Sequence, residues 1–148
     1  ELNDAIFGPS RSDALLDEAG FCRTTGLTAL QVRELVRKRL MMPLTKGRFD
    51  GDDVIMGKTY VRLLANGFQM GDLTYYVEQG EKIVDHEMAV RRRMTHHLSH
   101  QEDAALSMEL VKYARMTRSY IIDRLFQHRV AAMRDLKEAE TADTSDDD

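Results

Sequence analysis

His96, His97 and His100 stand close together in the chain, with Glu102 and Asp103 just beyond them. On a helix, His96 and His100 are one turn apart, a spacing at which two imidazoles can hold a transition metal. No cysteine is near, and a protonatable polar turn between two helices is the commoner use of such residues. These two histidines are therefore weak metal candidates, and no cofactor is expected. The single cysteine, Cys22, follows Phe21 in an apparent helix and reads as a small buried thiol with no intramolecular disulfide partner. Among the remaining residues there is no nucleophile with a base in sequence context, no glycine-rich phosphate loop and no zinc-protease helix. An enzyme is not expected.

Cations offer a second kind of chemistry. The whole chain carries a formal charge of -4, yet Arg23, Arg33, Arg37, Lys38, Arg39, Lys46, Arg48, Lys58 and Arg62 outnumber Glu34, Asp50, Asp52 and Asp53 between Arg23 and Arg62. Compensating acid lies towards the end, in Glu138, Glu140, Asp143, Asp146, Asp147 and Asp148, so residues 138–148 read as an acidic, disordered tail.

These cations have to be positioned by helices. Hydrophobic residues make up 43% and charged residues 31% of 148, with two prolines and no tryptophan, the usage of a soluble, mostly α protein. No run approaches the roughly 18 apolar residues of a membrane span and no secretory pattern opens the chain, so a cytoplasmic location is expected. Residues 1–11 read as a leader or linker. Ser12 is a candidate cap for a first helix with Leu15, Leu16, Ala19 and Phe21 or Cys22 inward, ended by Gly26. Thr28 caps a second, with Leu30, Val32, Leu35 and Val36 as its apolar positions, which stops before Pro43. A tight turn with Lys46 and Gly47 at its tip and two short extended flanks fills the space up to Phe49. Asp50 caps a third helix with Val54, Ile55, Val61, Leu63, Leu64 and Ala65 as its apolar set, and Gly67 ends it. A short fourth helix, from about Met70 to Glu78, carries Leu73, Tyr76 and Val77 to the same core and is closed by Gly80.

Beyond Gly80 no glycine or proline has to interrupt a helix. Ser99 and Glu102 have capping-box spacing and divide this region, residues 80–137, into two long helices. Val84, Met88 and Leu98, then Leu106, Leu110, Tyr113, Ile121 and Leu125, supply apolar stripes wider than the head can cover. Burial against a second copy, as an antiparallel pair or a four-helix arrangement, is the expected solution.

The segments GFCRTTGLTALQVRELVRKRLMMP, KGRFDGDDV and LLANGFQMGDLTYYV, in that order, resemble the head of MerR-type regulators. Thr25-Gly26-Leu27-Thr28 resembles the turn of that family's helix-turn-helix. Val32-Arg33 resembles the start of its recognition helix and Leu40-Met41-Met42-Pro43 the end. Gly47-Arg48-Phe49 is similar to its wing, Asp53-Val54 to the start of the next helix, and Gly67-Phe68 with Met70 and Leu73 to the turn that follows. The resemblance covers nearly half the chain. It implies a winged helix-turn-helix head with a minimal wing over residues 12–79, followed by two long C-terminal helices for dimerisation. The implied function is a dimeric, DNA-binding transcriptional regulator, with double-stranded DNA and a second copy as partners and a small-molecule effector near an end of the dimer helix. Where the family has a glycine before the apolar pair this chain has Arg39, which places a non-glycine residue at a left-handed backbone position if that conformation is kept.

The physical basis for DNA contact stands apart from the resemblance. A helix with a polar, basic N-terminal face fits the major groove, and cations on a flanking turn anchor to phosphates. Thr28, Gln31 and Arg33 are the candidates for groove contact; Arg37, Lys46, Arg48, Lys58 and Arg62 are those for phosphate. An alternative keeps the head as a scaffold without DNA, as in the regulatory segments before class III adenylyl cyclase domains, which the head and helical pair resemble more loosely.

Overall fold

The computed structural model describes residues 15–143, and five helices account for most of them. The first, α1 (Glu18–Thr25), starts where the Asp17 carboxylate accepts the Gly20 amide at 2.8 Å. The proposed cap Ser12 lies outside the described residues, and the helix begins later than the apolar spacing implied. Leu16 is not part of it. Its backbone is spent instead on Phe49, in a two-bond antiparallel bridge of 2.9 and 2.8 Å that ties the chain before α1 to the turn after α2.

Gly26, at φ 86, ends α1, and Thr28 opens α2 (Ala29–Arg37) with a reciprocal capping box: Thr28 Oγ1 accepts the Gln31 amide and Gln31 Oε1 accepts the Thr28 amide. The helix stops well short of Pro43. Lys38 caps it and Arg39 turns left-handed at φ 61, after which the Leu40 and Met41 amides both bond back to the Leu35 carbonyl. This turn drops Leu40 and Met41 into the core, where the Leu40 carbonyl accepts the Tyr60 hydroxyl at 2.5 Å.

A second capping box, Asp50 with Asp53, opens α3 (Gly51–Ala65), and Gly67 at φ 90 turns the chain beyond it. Ile55 and Ala65, expected in the core, are exposed; Val54, Val61, Leu63 and Leu64 pack against it half-buried, and the fully buried residues are Gly57 and Tyr60. Gly57 is where α3 meets α1 most closely, since a Cβ there would stand 2.8 Å from Thr25 Cγ2 and 2.9 Å from Phe21 Cζ. Helix α1 packs on both α2 and α3, and the core forms around it from Phe21, Val32, Leu35 and Phe49, with Tyr60 and Leu73 added by the later helices.

Helix α4 (Met70–Thr95) buries Leu73 and half-buries Val77, but Tyr76 points to solvent. It runs through Gly80 without a break, so the short fourth helix closed by that glycine is not what forms. A glycine with helical φ costs only about 1 kcal/mol in a helix interior, too little to stop a long one. After Thr95 the chain turns, and Ser99 caps α5 (His100–Asp143): the Glu102 carboxylate accepts the Ser99 amide and hydroxyl, and Ser99 Oγ accepts the Glu102 amide. Residues 138–143, read as disordered tail, are its last turns. The chain divides into two compact units, the first ending at Met94 and the second beginning at Thr95. Among the described residues no helix is long and apolar enough to cross a membrane.

Candidate nucleic-acid interface

Helix α2 has two sharply different faces. Val32 and Leu35 are fully buried against α1, and the 3.6-residue period then turns Arg33 and Arg37 outward. Leu30 and Val36, expected inside, are exposed; Leu30 is 76% accessible on the first turn. Thr28 and Gln31 are committed in part to the capping box, which leaves the Gln31 side-chain amide as the polar group of that turn still able to donate outward.

The outward cations have carboxylate partners. Arg33 Nη2 lies 3.0 Å from Glu18 Oε1, Arg37 Nη2 lies 2.6 Å from Glu34 Oε1, and Lys38 Nζ lies 3.5 Å from the same oxygen. The Arg37 hydrogen bond holds the Glu34 carboxyl below its usual range, and Glu34 in turn raises Arg37. Arg33 and Arg37 are well exposed and their carboxylate partners partly so, so these two pairs are worth little and exchange readily for another anion.

Beside α2 is the turn. Thr45 and Arg48 form an antiparallel bridge, the Arg48 amide donates to the Thr45 carbonyl at 3.0 Å, and Gly47 takes φ 71 at the tip with Lys46. The following residue fixes its position, because Phe49 is buried and stacks on Phe21 at 4.1 Å between centroids and 11° between planes. Between α2 and this turn is an open groove of about 700 Å3. Arg33, Arg37 and Lys46 line it together with Glu18, and Val36, Met41, Met42, Pro43, Leu44 and Phe49 supply its apolar surface.

Three of the expected phosphate contacts stand elsewhere. Arg48 is exposed on the turn but does not line the groove, and Lys58 and Arg62 lie one turn apart on the outer face of α3. Sequence reasoning missed the apolar part of the groove. Met42 and Leu44 flank Pro43 in a segment with no periodicity, and only the path of the chain after Arg39 turns them to one side.

The remaining candidates are distributed along the long helices. His96 and His97 meet edge to face at 5.1 Å, and among the described residues no group of three or more His, Cys, Asp or Glu is arranged to hold a metal ion. Of the proposed dimer positions, Val84, Met88, Tyr113, Ile121 and Leu125 are exposed, while Leu98, Leu106 and Leu110 are half-buried within the chain. Comparison of the chain with protein-family models, with curated proteins and with solved structures finds no match.

Proposed function

We propose that the chain is a dimeric DNA-binding transcriptional regulator whose second helix enters the major groove. The observation that carries this reading is the outward face of α2, with Arg33 and Arg37 exposed beside a basic turn anchored by the Phe49 stack on Phe21. Leu30 and the Gln31 amide occupy the first turn, where a recognition helix meets base edges. Arg33 would reach into the major groove with them and Arg37, Lys46 and Arg48 would contact phosphates, releasing Glu18 and Glu34 as they do so.

Fluorescence anisotropy with a duplex library, at roughly 50 and 200 mM salt, tests the reading. Binding should weaken steeply with salt; Arg33→Gln should weaken it, and Arg48→Gln should lower the salt slope by about one, each leaving the head folded. Absent or salt-independent binding to every duplex would sink it. Two half-sites require recognition helices about 34 Å apart in the dimer.

A second reading, a regulatory module that does not use DNA, is favoured by one observation. Arg33, Arg37, Lys38 and Arg39 each already face a carboxylate, from Glu18, Glu34, Glu34 and Glu81 respectively. Under that reading the same titrations stay flat.

A further inference from the structure

We propose that the groove between α2 and the Lys46-Gly47 turn is a docking slot for a short acidic, amphipathic peptide segment of a partner protein. The proposal goes beyond DNA contact and does not depend on it. Its basis is a combination of surfaces that a phosphate backbone cannot match. Leu44 is 77% exposed, Met42 60% and Val36 38%, and they are contiguous with Met41 and Pro43 along one trough. Phosphates can satisfy the cations of the rim, but they offer these aliphatic and thioether groups nothing to pack against. An apolar side chain from a peptide does, and methionine adapts its shape to such a guest.

Charge decides the chemistry of that peptide. Arg33, Arg37 and Lys46 line the groove with Glu18, and Glu34 stands beside Arg37, so cations still outnumber acids there and a segment bearing carboxylates is attracted over one bearing ammonium groups. The carboxylates now facing Arg33 and Arg37 are on exposed side chains and can be replaced by those of a ligand. Size limits the guest as well. A trough of about 700 Å3 takes the side chains of a turn or two of helix, as in helix-in-groove recognition, and is too small for the face of a globular domain.

The test uses the full chain and a fluorescein-labelled helical peptide with Leu and Phe at i, i+4 and i+7 and Glu at its other exposed positions. Saturable binding is expected. The same peptide with Lys for Glu should bind roughly tenfold or more weakly, as should the Glu peptide with Arg37→Gln protein. The double variant Met42→Ser, Leu44→Ser should also lose about tenfold, with an unchanged circular dichroism spectrum because both side chains already face water. Amide chemical-shift changes should map to residues 33–47. No saturable binding, equal binding of the two peptides, or full binding by the double variant would each overturn the proposal. No DNA is present in this titration, so its outcome is separate from that of the duplex experiment.

Discussion

At the scale of the residue, two backbone positions carry opposite lessons. Gly57 looks like a weak point in α3, and replacing it with alanine in an open helix would gain about 1 kcal/mol. Here a methyl group meets Phe21 and Thr25 below 3 Å, and Phe21 cannot retreat because it is fully buried and stacked on Phe49. Gly57→Ala is therefore expected to destabilise the head by about 1–2 kcal/mol net, read from the urea midpoint. Arg39 is the reverse case. Its left-handed φ of 61 costs roughly 1 kcal/mol for a residue with a Cβ, and its ion pair with Glu81, at 2.5 Å but half-exposed, returns only a few tenths. The expected order of stability is Arg39→Gly above the parent and the parent above Arg39→Ala. A glycine variant less stable than the parent would show that the Glu81 contact outweighs the backbone strain.

At the scale of the element, the caps set where helices begin, and two of them titrate. The bonds that Glu102 accepts from the Ser99 amide and hydroxyl hold its carboxyl below the usual range. A depressed folded pKa means stability that is present at neutral pH and lost as pH falls through that depressed value. Amide exchange in the first turn of α5 should accelerate, beyond its intrinsic pH dependence, as the solution is acidified through that window, and Glu102→Gln should remove the step. Asp53 acts in the opposite sense. Burial raises its pKa, so the folded state is penalised while Asp53 is ionised and relieved as pH drops through the raised value. The two caps should thus respond to acid with opposite signs, which residue-resolved exchange can separate.

At the scale of the whole molecule, the last part of α5 is the unfinished surface. Residues 119–143 are exposed throughout, including Ile121, Ile122, Leu125, Phe126, Met133 and Leu136. An isolated helix with that much apolar side chain in water is marginal and sticky, and a second copy is the simplest cover for it. Sedimentation of the full chain should give a dimer. Leu125→Glu with Phe126→Glu should give a monomer with reduced helicity and an intact head. A parent chain that sediments as a monomer at micromolar concentration would remove dimerisation from the proposed function.

Much of this organisation is local and was therefore readable in the sequence. Thr28 with Gln31, Asp50 with the acids of the next turn, Ser99 with Glu102, and the glycines at 26, 47 and 67 set their caps and turns through neighbours within a few residues, so the mostly helical class and the order of elements follow from the chain alone. What failed were judgements that depend on distant partners. Leu16 left the first helix because Phe49 takes its backbone bonds, and Leu30, Ile55 and Tyr76 face water because their helices turn Val32 and Leu35, Gly57 and Tyr60, and Leu73 to the core instead. Gly80 stayed helical because a long helix tolerates one poor residue. The candidate site divides along the same line. Its cations could be counted in the sequence, but the groove exists only because Arg39 turns left-handed and Phe49 stacks on Phe21, bringing Met42, Leu44 and Lys46 beside Arg33 and Arg37.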